Sequence, residues 1–245
     1  MRALSPRSML LGLVCVCATA CVQVGKQAAE PWRLFSLSPL PETTHAAAIG
    51  SAGPVELTIA VGPIHLPEYL DQDQIVTRIS RNDLTFSDND RWAEPLEDNV
   101  ARVLAQNLST LLQTDQITVH PWPGPQRAAY QLEIDVLSFE TDTAGTAHLD
   151  ARWLLRDVAK RQTIARNEAR QSVSAAGPST EQSVASLSKA LGDFSVAIAN
   201  VTREFVHSHS AQSTVGAGNR TSPTAAVSLR GPGGRRQARP RCWLG

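Results

Sequence analysis

The chain has little cysteine, and almost none where a cysteine would build anything. Of the four present, Cys15, Cys17 and Cys21 crowd the N-terminus and Cys242 stands near the other end, so a disulfide framework inside the body is excluded. No Cys or His pair occurs at ligand spacing in the body, and no metal site is expected. The nearest approach, His207-Ser208-His209, reads as the polar end of the last helix. Gly-rich phosphate loops, nucleophile elbows and His-Glu metal pairs are also missing, so no enzymatic activity and no cofactor are expected. The paired acids Asp71/Asp73, Asp88/Asp90 and Glu97/Asp98 fall in polar loops or at a helix start, where ordinary ionised carboxylates belong. Long apolar runs are absent too: Met9 to Ala20 is too short to cross a bilayer comfortably as a helix.

Acids are missing from both ends, and the formal net charge of zero hides this split. Of 23 Lys and Arg, Arg2 and Arg7 precede residue 21 and six arginines follow residue 207, which leaves 15 bases against 23 acids between, a net of −8. An acidic body argues against nucleic acid, which needs clustered bases on the folded surface.

What is present begins with an export signal. Arg2 and Arg7, an apolar stretch and the small residues Ala18-Thr19-Ala20 lead to Cys21. An ordinary cleaved signal fits these residues, and so does a bacterial lipoprotein signal in which Cys21 receives lipid and becomes the mature N-terminus, although Ala18 stands where Leu is usual. A cysteine at that junction, followed by a Gln- and Ala-rich tether, favours lipidation, and more than one acyl chain anchors stably. Val22 stands where an Asp, by resemblance to lipoprotein sorting rules, would retain the protein in the inner membrane, so the outer membrane is the expected address.

The pattern gives four regions: signal, 1–20; lipid-anchored tether with a short strand at Trp32–Pro39, 21–54; an α+β domain, 55–207; and a disordered Arg-rich tail, 208–245. Alternation predicts strands at Val55–Val61, ending at Gly62-Pro63, then at Gln74–Ser80, Leu84–Phe86, Gln116–Trp122, Ala129–Phe139, Ala147–Asp157 and Gln162–Val173. In the strand from Ala147, residues Ala147, Leu149, Ala151, Trp153 and Leu155 face one way and His148, Asp150, Arg152 and Arg156 the other. A hairpin would set these charges beside Arg166, Glu168 and Arg170, giving either a solvated face or a charged binding surface. Ser179 and Gln182 fit a capping box opening a second helix. Its stripe Val184, Leu187, Leu191, Phe194, Ile198, Val201 and Phe205 repeats in heptads and reads as a face packed on the sheet or as a coiled-coil seam.

The centre of the chain is Ile64 to Leu112. Leu96, Val100, Val103, Leu104, Leu108, Leu111 and Leu112 line one face of a helix starting near Glu94, with Pro95 suited to its first position and Glu97 and Asp98 to the positive end of its dipole. Before it, large apolar groups sit in a polar loop: Leu66, Tyr69, Leu70 and Trp92. With Glu94 they are the candidate protein-interface residues, either between copies of the chain or with a partner; Trp92 covering the end of the helix is the competing reading.

This stretch resembles the PqiC-like family of ABC-type transport auxiliary lipoproteins, associated with membrane integrity, at Tyr69-Leu70, Ile75-Val76-Thr77-Arg78 and Trp92-Ala93-Glu94-Pro95-Leu96 with the helix that follows. The short strand at Trp32–Pro39 resembles the one that follows the lipid attachment site in this family. The resemblance implies a periplasmic lipoprotein on the outer membrane, working with an inner-membrane complex that carries a lipid-binding ring protein in phospholipid traffic between the membranes. A homo-oligomer is expected. An envelope-assembly scaffold is the alternative, and an envelope hydrolase would need a nucleophile that the sequence does not offer. The expected fold is one largely antiparallel sheet with two long helices on one face, class α+β.

Overall fold

A computed structural model describes residues 31–41, 57–121 and 128–217. The export signal, Cys21, most of the tether, Trp122 and residues 218–245 of the tail lie outside these. The chain divides into two compact units, Met1–Arg203 and Glu204–Gly245. The order of elements is β1 (Arg33–Phe35), β2 (Ile59–His65), β3 (Gln74–Ser80), β4 (Asp83–Trp92), α1 (Leu96–Leu112), β5 (Ile117–Val119), β6 (Tyr130–Asp142), β7 (Ala147–Asp157), β8 (Gln162–Val173) and α2 (Thr180–Ala217).

The class is α+β, but the eight-stranded sheet is mixed and not largely antiparallel. Strands joined in succession, β3–β4, β6–β7 and β7–β8, pair antiparallel, whereas β1–β4, β2–β5, β2–β6 and β3–β6 pair parallel. Each parallel pair joins strands that are not consecutive. A tight turn can make only an antiparallel neighbour, so the parallel pairs come from long returns of the chain, which local alternation does not reveal. Strand β6 is the hub. β7 pairs along one of its edges, while the other edge is shared by β2, from Tyr130 to Asp135, and β3, at Thr141 and Asp142.

The inner face is built as period two requires. Ala147, Leu149, Ala151, Trp153 and Leu155 of β7 are all buried, as are Leu132, Ile134 and Val136 of β6, and the apolar faces of both helices cover them. The stripe of α2 from Val184 to Ile198 is buried inside this unit, which is the packing expected of a helix on a sheet. Pro95 is the N-cap of α1 and lies just outside the first helical residue. At the start of α2 the capping box forms: the Ser179 N–H donates to Gln182 Oε1 and the Gln182 N–H to Ser179 Oγ, each at 3.3 Å. Strand β2 does not end at Gly62-Pro63 but passes through it with a shift in register; Gly62 has φ 106°, a conformation that a side chain would strain.

Helix α2 runs to Ala217, past the expected end at His207, because nothing between them breaks a helix before Gly216. In the second unit, Phe205 and Val206 are half-buried and Ser208 Oγ donates to the Phe205 carbonyl at 2.7 Å.

Before the fold proper, residues 31–41 form a strap. β1 joins the edge of β4, and the chain then crosses both helices, held by polar side chains that would be out of place on an ordinary helix face. The Leu37 N–H donates to Asn99 Oδ1 at 3.3 Å, the Leu40 N–H to Asn107 Oδ1 at 2.8 Å, and the Ser38 N–H to Ser188 Oγ at 3.1 Å. Asn107 also donates to Ser195 Oγ of α2 at 3.0 Å, so one buried amide ties the strap and both helices together. Leu40 sits where a Cβ on Gly192 would stand 2.6 Å from its methyl group; the glycine admits the strap.

Candidate functional site

The outer face of the sheet has two unlike wings. On the β6–β7–β8 wing the expected opposite charges meet across strands. Arg152 lies 3.3 Å from Glu168, Arg170 lies 3.0 Å from Asp150 and, along its own strand, 2.8 Å from Glu168, and Arg156 lies 3.2 Å from Glu133. The flanking guanidinium groups of Arg152 and Arg170 hold Glu168 below the usual carboxylate range. These are exposed pairs worth little individually. An open groove of about 650 Å³ runs between them, lined by His65, Asp135, Arg152, Leu154 and Arg166 among others.

On the other wing the outer face is covered. A bulge between Val136 and Ser138 of β6 exchanges the faces, so Glu140, opposite His148 in register, points outward together with Asp142 and the even-numbered side chains of β7. Yet Glu140 is only 1% exposed. The loop after β2 closes over it: Tyr69 donates its hydroxyl to Glu140 Oε2 at 2.9 Å, and Arg78 of β3 reaches Oε1 through Nε at 2.7 Å. The Phe139 N–H supplies a further hydrogen bond to Oε2 at 2.8 Å. Burial and the charge of Glu140 push the Tyr69 phenol well above its ordinary range. Although burial opposes it, the hydrogen bond and charge of Glu140 raise Arg78 further. The carboxylate is thus held by an arginine, a phenol and a backbone amide, the full satisfaction that a buried charge needs.

The candidate interface residues divide accordingly. Leu70 and Trp92 are 2% and 7% exposed and belong to the chain's own core. Trp92 ends β4 with its N–H on the Asp73 carbonyl at 2.7 Å, and it faces Phe35 in the β1 register. Glu94 accepts from Arg102 Nη2 at 2.6 Å, and that guanidinium also reaches Ser36 Oγ at 3.1 Å, fixing the strap at the start of α1. Leu66 and Tyr69 remain half-exposed. Tyr69 lines an open groove of about 500 Å³ with Glu68, Gln72, Gln74 and Phe86. Phe86, Trp32 and Leu34 lie in segments for which sequence reasoning assigned no surface role, and all three are exposed. Cys21 lies outside the described residues, as do the side chains of His207 and His209. Among the described residues no cluster of His, Cys, Asp and Glu is set to hold a metal ion, and no helix is long and apolar enough to cross a membrane.

Solved structures share this arrangement. Protein XCC0632 from Xanthomonas campestris, of the DUF330 family, matches with a TM-score of 0.61 at 17% identity over 73% of this chain and 98% of that one. A crystal structure of an uncharacterized protein matches with a TM-score of 0.55 at 21% identity, over 70% of this chain and 98% of the other. At these identities they show the fold alone. No curated protein matches the sequence. The family model for the ABC-type transport auxiliary lipoprotein component, however, matches residues 35–199, from the end of β1 through the buried stripe of α2. The chain therefore belongs to the ABC-type transport auxiliary lipoprotein family.

Proposed function

We propose that this protein is anchored by lipid on Cys21 to the periplasmic face of the outer membrane and serves as the docking component of a phospholipid transport system whose inner-membrane complex carries an ABC permease and a lipid-binding ring protein of the MCE type. The carrying observation is the family match over residues 35–199, which runs from the last residue of β1 through β2 to β8, α1 and the buried stripe of α2. The export signal ending at Cys21 and the Val22 that follows it support the anchor and its address. The role is mechanical rather than catalytic. The strap ties the tether to α1 and α2, so the body is held close to its attachment point, and the half-exposed Leu66, Tyr69 and the groove beside Phe86 offer the surface on which the transport complex, or further copies of the chain, dock.

Two measurements test this reading. Cys21→Ser should stop lipid labelling and release the protein into the soluble periplasmic fraction; persistence in membranes without detergent contradicts the anchor. Crosslinking in cells followed by mass spectrometry should return a lipid-ring or permease subunit. An outer-membrane assembly machine as the sole product would replace the transport role with the scaffold reading.

A further inference from the structure

β1 is an edge strand whose outward side chains are the wrong kind for water. Trp32 and Leu34 are 69% and 64% exposed, the largest exposures among the chain's described bulky apolar groups. Both point to the outer face. Leu34 stands opposite Arg91 in the β1–β4 register, Trp32 precedes it by the two residues that restore the same side, and the Arg91 guanidinium lies 4.7 Å from the Trp32 ring centroid. Arg33 is turned the other way, over the Phe35 ring at 4.9 Å and 3.7 Å from Asp90. The result is a ridge with an indole and an isobutyl group at its crest and guanidinium groups on its flanks.

Edge strands are normally blunted by charge or covered, and a Trp beside a Leu does neither. The ridge is also the first described part of the chain after Cys21. Even fully extended, the intervening residues span no more than about 40 Å, so a lipid on Cys21 keeps β1 near the bilayer surface. Trp with flanking Arg is the composition that settles at the headgroup level, where an amphipathic ring has an apolar body in the acyl boundary and its N–H in the wet layer.

We infer that Trp32 and Leu34 form a second, non-covalent membrane contact, seated in the interfacial layer of the bilayer that holds the anchor and fixing how the body stands on it. The inference rests on the lipid anchor proposed above. The body's net charge of −8 disfavours attraction to anionic lipid, and Asp90, 3.7 Å from Arg33, offsets one of the two guanidinium groups on the ridge. The contact is therefore made by apolar insertion and is insensitive to salt.

The test uses the mature chain in vesicles of phosphatidylethanolamine and phosphatidylcholine, part of the phosphatidylcholine brominated near the headgroup end of its acyl chains. Intact mass first reports whether Cys21 carries lipid. On lipidated protein, tryptophan emission should be quenched, and Trp32→Phe should lose most of that quenching with an unchanged Tm. Absence of quenching in the parent, or equal quenching in Trp32→Phe, overturns the inference while leaving the anchor standing. If mass shows no lipid, the anchor fails by itself, and the ridge is tested on the full chain carrying Cys21→Ser by vesicle flotation. There Trp32→Ala with Leu34→Ala should lower partitioning about tenfold, equally at low and high salt. Unchanged partitioning, or loss of a dimer in light scattering with no change in flotation, overturns the membrane contact and, in the second case, gives the ridge to another copy of the chain.

Discussion

The two wings of the sheet's outer face both carry acids and bases, yet they use them in opposite ways. On the β6–β7–β8 wing the acids and bases pair across strands in water, and a groove stays open between them. On the β3–β4–β1 wing the carboxylate that the far end of β6 presents beside β3, Glu140, is sealed under Tyr69 and Arg78, and the apolar groups Phe86, Trp32 and Leu34 take the surface. The difference shows where this fold invests its organisation. A paired charge in water is nearly free to change; a buried carboxylate with three partners fixes the loop above it, and that loop carries the half-exposed residues offered to a partner.

The largest test of this contrast is Leu70→Ala, which empties a fully buried site under the Tyr69 loop and should cost about 3 kcal/mol in denaturant unfolding. Leu137→Ala on the opposite wing, where the side chain is exposed, should stay within about 0.5 kcal/mol. Equal losses would end the distinction between the wings.

Next comes Glu140→Ala. It strands Arg78 and the Tyr69 hydroxyl beneath the loop and should cost about 2–3 kcal/mol, whereas Glu168→Ala should be close to neutral. A neutral Glu140→Ala in the same unfolding experiment would mean that water reaches the site.

Smaller again, Asn107→Ala removes the amide that holds Leu40 and Ser195, with an expected loss of about 1–2 kcal/mol. It should also make the strap a preferred cut site in limited proteolysis, a change that Arg152→Ala should not produce.

The smallest effect is one of pH. In the unfolded chain Tyr69 ionises at about pH 10, while in the folded chain burial and Glu140 keep it protonated above that. The folded state then binds more protons, so the contribution is intact below pH 10 and is lost as pH rises beyond it. Thermal melts should show an alkaline decline that Tyr69→Phe reduces and that Arg170→Ala leaves unchanged.

Much of this was legible in the sequence, and what was not has physical causes. β7 and β8 carry alternating patterns over their whole length, and both strands appear with the expected bounds and the expected cross-strand pairs. The helices declared themselves through their stripes, and α2 through Ser179 and Gln182. Parallel pairing was invisible because it depends on distant strands meeting. β4 reaches Trp92 through Ser87-Asp88-Asn89-Asp90, a run that reads as loop, because β1 pairs with Asp90–Trp92 and tertiary pairing overrides poor propensity. Glu140 was missed because alternation predicted that its strand ends at Phe139, and a bulge then exchanged the faces. A signal did exist for the strap: Asn99 and Asn107 are poor helix residues on an otherwise well-formed helix, and such residues ask for a partner. The group of Leu66, Tyr69, Leu70, Trp92 and Glu94 was recognisable as unusual, but its division into core and surface needed the loop's actual path.

The most direct test of the account is site-specific photo-crosslinking in cells, with the reactive group placed at Phe86 in the Tyr69 groove or at Arg170 on the charge-paired wing. Both positions are exposed, so neither substitution disturbs the fold. The account predicts crosslinks from Phe86 to a subunit of the lipid transport complex and none from Arg170. Crosslinks to that subunit from Arg170 with none from Phe86 would contradict it and move the docking surface to the charged wing.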